Sequence, residues 1–279
     1  MTLETKSSIA ITHDAATNGP ANDRSRDFVQ SLERGLAVIR AFNADRPSLT
    51  VSEIAQTTGL TRAAARRFLL TLTELGYVAG KDNRFELTPQ VLELGYAYLS
   101  ALSFPEIALP HLKRLVSQTR EGCEGSVLAD GDIVYVVSVP GPAMMSISVN
   151  VGARMAAHTT AMGRVLLAHL PPLKLEEYLA SVKLAPLLPR TIADSEQLGA
   201  ELARVREQGF ALVDQELEEG LVVIAVPIHD RMGNVRAAIN LSTHIGRRSV
   251  DDLCGMLPLL KETAADIERG LHHATRWSQ

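Results

Sequence analysis

Cysteine is scarce in this chain: Cys123 and Cys254 are the whole complement. Two thiols cannot build a disulfide framework, and no C-x-x-C or H-E-x-x-H spacing is present to hold zinc, so neither a disulfide scaffold nor a metal site is expected. Long apolar runs are missing too. The purest, Leu221 to Ile228, is too short to cross a bilayer, and the first two dozen residues lack the apolar core flanked by positive charge of a secretory signal. These absences predict a cytoplasmic protein with no membrane segment. The single tryptophan, Trp277, stands in the C-terminal tail, which leaves the body of the chain without a fluorescent reporter. Positive charge is also in short supply: the net charge of -4 argues against a generally basic nucleic-acid binder.

What is present is a globular composition, 46% hydrophobic and 22% charged, and at 279 residues enough chain for two ordinary domains. The charge is unevenly spread. Residues 21–88 carry ten basic and eight acidic side chains, whereas residues 89–279 carry seventeen and twenty-two. An attraction to phosphate is therefore confined to the first third, and to local clusters within it.

The strongest such cluster lies in Leu60 to Gly76. At about 100° per residue Ala65, Phe68, Leu69, Leu72 and Leu75 form one apolar stripe. Ala63, Arg66 and Arg67 then point outward, and Arg62 lies near the rim of the stripe. A slim, basic face at a helix start suits a DNA major groove; a solvated face with internal salt bridges is the competing reading. Residues 26–42 supply a preceding helix, with Val29, Leu32, Leu36, Ile39 and Phe42 at helical spacing. Thr50-Val51-Ser52-Glu53 matches a capping box, Gly59 is a helix stop, and Thr61 can cap the next helix. Two helices joined in this way form a helix-turn-helix. Tyr77-Val78 and Phe85-Leu87 around Lys81-Asp82-Asn83 read as a wing, with Lys81 and Arg84 placed for backbone phosphates. Thr50, Ser52 and Thr61 are supporting phosphate contacts as well as capping residues.

Thr88-Pro89 opens a helix over residues 89–103, read as an interdomain linker interrupted at Phe104-Pro105. A further helix runs from Glu106 to about Thr119. Beyond Gly122 the period becomes two. Strands are expected at Ser126–Leu128 and Ile133–Val139, joined at Asp130-Gly131, and at Ser146–Val151, Phe210–Val213, Leu221–His229 and Val235–Thr243. Helices are expected at His158–Leu170, about Leu173–Leu179, Asp194–Gln208 and about Val250–Leu271. The expected fold class is α+β: an N-terminal winged helix-turn-helix at 26–88 behind a disordered tail at 1–25, the linker helix, and a C-terminal domain at 104–272 built on a mostly antiparallel sheet.

With these elements in order, the chain resembles the IclR family of bacterial transcriptional regulators. The matching stretches are LERGLAVIRAF, LTVSEIAQTTGLTRAAARRFLLTLTELGYV, FELTPQVLELGYAYLSAL, HTTAMGRVLLA and LVDQELEEGLVVIAVPIHDRMGNVRAAINLS. RDFVQSLERGLAVI, TRAAARRFLLTL and LGYAYLS are similar to the branch that regulates protocatechuate and β-ketoadipate catabolism. The resemblance implies a winged helix that dimerises on a palindrome-like operator of double-stranded DNA. It also implies an effector-binding C-terminal domain that takes a small organic acid, and a homodimer or homotetramer. Carried onto this sequence, the effector site is Ala161, Met162, Asp214, Val223, Asn240 and Ser242. Val223 stands where a cysteine or another small residue often sits, and Asn240 replaces a serine, which puts the family's effector preference in doubt here.

Charge placement adds a polarity. Asp214 and Glu216 repel an acid, so the effector's carboxylate is expected beside the backbone N–H groups near Ala161 and Met162, with Arg154 and His158 assisting and Asp214 accepting from a ring hydroxyl or a water. Asn240 and Ser242 share one strand face, either in a pocket or on solvent. Two other classes compete: a metabolite sensor acting through protein contacts, and a hydrolase using Cys123 and His158. No nucleophile elbow surrounds Cys123. No catalytic residues and no cofactor are assigned.

Overall fold

A computed structural model describes residues 28–43, 45–94, 103–141 and 150–273. The expected N-terminal tail, most of the linker helix (95–102) and most of the strand at Ser146–Val151 lie outside them; Val151 itself stands in a turn. The chain divides into two compact units between Leu92 and Glu93.

The first unit contains α1 (Gln30–Arg40), β1 (Ser48–Thr50), α2 (Val51–Thr58), α3 (Arg62–Glu74), β2 (Val78–Lys81) and β3 (Arg84–Leu87). A complete capping box starts α2: the Glu53 N–H donates to Thr50 Oγ1 at 3.3 Å and the Thr50 N–H to Glu53 Oε2 at 2.7 Å. It satisfies amides that lack helical partners. Gly59 ends α2 at φ 67°, a left-handed conformation that costs glycine nothing, and Thr61 Oγ1 accepts from the Ala64 N–H at 3.2 Å to open α3. Val38, Ile54, Ala65 and Leu69 are fully buried between the three helices. Leu75 departs from the expected stripe. It is 55% exposed because α3 ends at Glu74, before the apolar face completes another turn.

The wing is the β2–β3 hairpin, turning through Asp82 and Asn83 at φ 50° and 61°, which short polar side chains tolerate. β1, a strand with no signal in the sequence, pairs with β3 and gives the order β1-β3-β2. Three residues are too few to display a period. After the wing, the Thr88 hydroxyl donates to the Gly76 carbonyl at 2.5 Å and does not cap; Pro89–Val91 form a 3-10 turn.

The second unit contains α4 (Ser103–Thr119), β4 (Cys123–Ala129), β5 (Asp132–Val139), β6 (Arg154–Ala156), α5 (Ala161–Ala168), α6 (Pro172–Ser181), α7 (Ser195–Gln208), β7 (Ala211–Asp214), β8 (Leu221–His229), β9 (Val235–His244), α8 (Val250–Gly255) and α9 (Leu257–His273). The strands form a six-stranded sheet, order β6-β5-β4-β9-β8-β7, antiparallel throughout. Helices cover both faces. Leu112, Leu115, Leu253, Leu260 and Ile267 pack on Val222, Ile224, Ile239 and Leu241, while Ala161, Val165, Leu198 and Leu202 pack on Val213, Ala225 and Ala238 on the other side. Burial on both faces explains why β8 reads as an unbroken apolar run.

Three expectations change. The helix expected from Glu106 starts at Ser103 and so includes Phe104 and Pro105. Both lie in the first turn of α4, where proline sacrifices no hydrogen bond, and Phe104 is fully buried. The helix expected from His158 starts later: Arg154–Ala156 pair with β5, Ala157–Thr159 form a 3-10 turn, and the Thr160 hydroxyl accepts from the Gly163 N–H at 3.0 Å to open α5. A Cβ at Gly163 would stand 2.1 Å from the Ala157 carbonyl oxygen, so glycine is what lets α5 close on that turn. The last helix divides at Met256 because Pro258 has no N–H to continue the ladder.

Arg164 locks α5 to the segments around it. It is 1% exposed, donates from Nη1 and Nη2 to Glu216 at 2.8 and 2.5 Å, and donates from Nε to the His158 carbonyl at 2.9 Å. The Thr191 hydroxyl completes the cluster by donating to the Glu216 carbonyl at 2.5 Å. Arg164→Met strands a buried carboxylate and is expected to cost about 3–5 kcal/mol in urea unfolding, with most of it recovered in the Arg164→Met/Glu216→Leu double variant. A double variant as unstable as the single one contradicts the pairing.

Candidate functional site

Two groups of side chains invite chemistry, one in each unit. In the first, Arg62, Ala63, Arg66 and Arg67 are all exposed on α3. None of the three guanidinium groups bonds to a described residue. No acid occupies the first turn of α3, and the positive end of the helix dipole adds to the field there. Unpaired cations on a rigid helix, with a methyl group between them, form a surface ready for an anion. Lys81 is exposed at the wing and likewise unpartnered among the described residues. Arg84 differs: it donates from Nε to Ser48 Oγ at 3.1 Å and from Nη2 to the Ser48 carbonyl at 2.7 Å, pinning β1 to β3. Thr50 and Thr61 serve as caps, and Ser52 is half-buried in the first turn of α2.

In the second unit the pleat decides which candidates meet. Val213 pairs with Val223, Val223 with Ser242, and Ala225 with Asn240. Because paired residues share a face, Val223, Asn240 and Ser242 stand on the side covered by α5. Met162 joins them by accepting from the Ser126 hydroxyl through Sδ at 3.4 Å, and Ala161 is buried beside it. Asp214 does not join. It pairs with Val222, which packs on the opposite face, and its carboxylate is ion-paired with Arg190.

Arg154 is also engaged elsewhere, donating to Asp132 at 3.2 Å and to the Ala129 carbonyl at 2.7 Å along the edge strand. His158 is hydrogen-bonded through Nδ1 to the Tyr178 hydroxyl at 3.2 Å, and burial, with Arg164 adding to it, holds its pKa below the usual imidazole range. Cys123 packs with the α4 and α9 side chains, its thiol pushed up by burial. It is not a nucleophile beside His158. No group of three or more His, Cys, Asp or Glu among the described residues is placed to hold a metal ion.

The face under α5 contains three polar groups that the sequence reading did not select: Glu124, Ser126 and Tyr135. Glu124 is 3% exposed, and its N–H donates to Asn240 Oδ1 at 2.7 Å. Burial pushes its carboxyl up to about 7, opposed by the hydrogen bond from the Asn240 side chain. Ser126 is fully buried and pairs with Tyr135, whose phenol is raised by burial and then by the Glu124 charge. The available signal was an acid two positions before Ser126. It went unread because the strand was expected to begin at Ser126, whereas β4 begins at Cys123.

Comparison with known proteins follows this division. A family model described as the IclR helix-turn-helix domain matches residues 31–81, and one described as the bacterial transcriptional regulator IclR C-terminal domain matches residues 96–269. The chain is 43% identical over 243 residues to the Pca regulon regulatory protein of Pseudomonas putida, covering 86% of this chain and 84% of that protein. It is 35% identical over 250 residues to the p-hydroxybenzoate hydroxylase transcriptional activator of Acinetobacter baylyi, covering 88% and 92%. Among solved structures, a transcriptional regulator from Rhodococcus sp. RHA1 matches with TM-score 0.79 and 49% identity, over 88% of this chain and 98% of that one. An IclR homologue from Microbacterium hydrocarbonoxydans complexed with 4-hydroxybenzoate matches with TM-score 0.78 and 28% identity, over 88% and 100%.

The Glu124 carboxyl carries a pH signature. Its folded pKa is raised from 4.5 to about 7, so the folded state binds this proton more tightly. The associated stability is present at low pH and is lost as pH rises through that window. Glu124→Gln removes the titration. Its stability relative to wild type is expected to climb between pH 4.5 and 7 by on the order of 3 kcal/mol, then level off, in urea melts across pH. A difference independent of pH contradicts the buried carboxyl.

Proposed function

The chain belongs to the IclR family of bacterial transcriptional regulators, and from that premise we propose that α3 is its operator-reading helix and that the face under α5 is its effector site. The protein is a DNA-binding regulator that senses a small molecule, and not an enzyme. The observation that carries the DNA assignment is the row of arginines on α3 that are unpaired among the described residues. Arg66 and Arg67 reach base edges, where a bidentate guanidinium discriminates best, and Ala63 permits close approach. Arg62, Lys81, the remaining donors of Arg84, and Thr50, Ser52 and Thr61 meet the phosphate backbone.

The effector is a small aromatic acid of a catabolic pathway. Relatives named for the Pca regulon and for p-hydroxybenzoate hydroxylase, and a related structure holding 4-hydroxybenzoate, support that class. Its carboxylate lies toward the first-turn amides of α5, at Ala161 and Met162, which have no carbonyl four residues back inside the helix. Val223, Asn240 and Ser242 line the same face. The protein works in the cytoplasm as a homodimer or homotetramer on double-stranded operator DNA. The outward side of α1, with Leu32 62% and Leu36 42% exposed, suits a contact between winged helices. The effector acts by binding two domain or subunit arrangements unequally, since only differential affinity shifts an equilibrium.

Gel-shift titrations with the protein's own upstream region test the assignment. Arg66→Ala or Arg67→Ala is expected to lower operator affinity by about 1–3 kcal/mol where the side chain reads a base. Lys81→Ala weakens all sequences alike and reduces the salt slope by about one. Undiminished affinity in both arginine variants sinks the placement of α3.

A further inference from the structure

We propose that Glu124 is the residue by which this protein recognises a hydroxyl group on its effector, accepting from a ring hydroxyl beside Asn240 and Ser242. The inference rests on the reading of the α5 face as an aromatic-acid site, and it gives to Glu124 the role that charge placement alone had suggested for Asp214.

Glu124 is almost wholly buried, yet no cation among the described residues is ion-paired with it. Arg164 is spent on Glu216, and Arg154 is bonded to Asp132 and Ala129 at the sheet edge. Residues 142–149, next in the chain after Gly141, include no lysine or arginine. Architecture alone does not call for an acid at this position. The bond that fixes the strand, from the Glu124 N–H to Asn240 Oδ1, is made by the backbone and survives any side chain at 124. A carboxylate offers about four acceptor sites, and the Asn240 side chain is the bonding partner described for it. The remaining capacity lies against Ser242: a Cβ at Gly122 would stand 3.4 Å from Glu124 Oε1 and 3.1 Å from Ser242 Oγ, so carboxyl and hydroxyl converge over a residue without a side chain.

Such a group selects among ligand chemistries. In the ionised form, which prevails above pH 7, a second carboxylate there meets like charge in a low dielectric, whereas a phenolic hydroxyl donates into it and gains a charge-assisted bond. An acid that also carries a ring hydroxyl therefore fits in one orientation, with its own carboxylate directed away from Glu124. A site built to accept from a hydroxyl also rejects the analogue that lacks it, because the buried acceptor is then left unsatisfied.

The test is isothermal titration of the full chain at a pH of about 8.5, where Glu124 is ionised, with 4-hydroxybenzoate, 3,4-dihydroxybenzoate and benzoate, in wild type, Glu124→Gln and Glu124→Met. Wild type is expected to prefer the hydroxylated acids over benzoate by about tenfold or more. That preference vanishes in Glu124→Met and shrinks in Glu124→Gln, which keeps a neutral acceptor. If Glu124→Met does not fold, the glutamine variant decides, and a preference reduced less than about threefold overturns the proposal. An unchanged preference in a folded variant, or an equal loss for all three acids, overturns the role of Glu124 and leaves the aromatic-acid reading standing. Binding of none of the three to wild type overturns both.

Discussion

The alternation of side chains along β8 and β9 is the constraint on which the second unit depends. Each paired position sends both residues to one side of the sheet, so the ladder from Leu221↔His244 to His229↔Val235 sorts two sets. Val222, Ile224 and Leu241 build a core with α4 and α9; Val223, Ala225, Asn240 and Ser242 turn toward α5. A shift of one residue would exchange the sets and bury Asn240 against leucines, which makes the register costly to lose. The polar groups are therefore confined to one layer. The same pleat turns Asp214 away from them and, through β4, turns Glu124 toward them.

A second constraint fixes the roof of that layer. α5 is short and buried at every position, and Arg164 joins it to Glu216, His158 and, through Glu216, Thr191. A buried ion pair contributes little net stability but is costly to break on one side. It holds the start of α5 over the sheet, whereas the arginines of α3 do the opposite: they bind no described residue and remain available. Paired and unpaired guanidinium groups thus separate the part of the chain that positions from the part that reaches out.

Much of this was legible in the sequence, for local reasons. The capping box at Thr50 and Glu53, the stop at Gly59 and the polar turn at Asp82-Asn83 are encoded within a few residues, and the structure reproduces each. Long apolar strands such as β8 and β9 also announce themselves. What escaped depends on partners distant in sequence. β1 exists because β3 lies beside it, Pro105 is harmless because it falls in a first turn, and Glu124 matters because Asn240 stands opposite. The family resemblance named the stretch VDQELEEG, but the face on which its aspartate lies follows from strand pairing, which residue spacing alone does not specify. For Arg154 and His158 the charge was visible in the sequence and the partners, Asp132 and Tyr178, were not.

The central claim is that a small aromatic acid bound in the second unit alters how the first unit holds DNA. Fluorescence anisotropy of a labelled operator fragment, titrated with the full chain in the presence and absence of saturating effector, tests it most directly. The account predicts operator dissociation constants that differ by about fivefold or more, with the same factor separating effector affinity for free and operator-bound protein, as linkage requires. Identical operator affinity with and without an effector that demonstrably binds would contradict it.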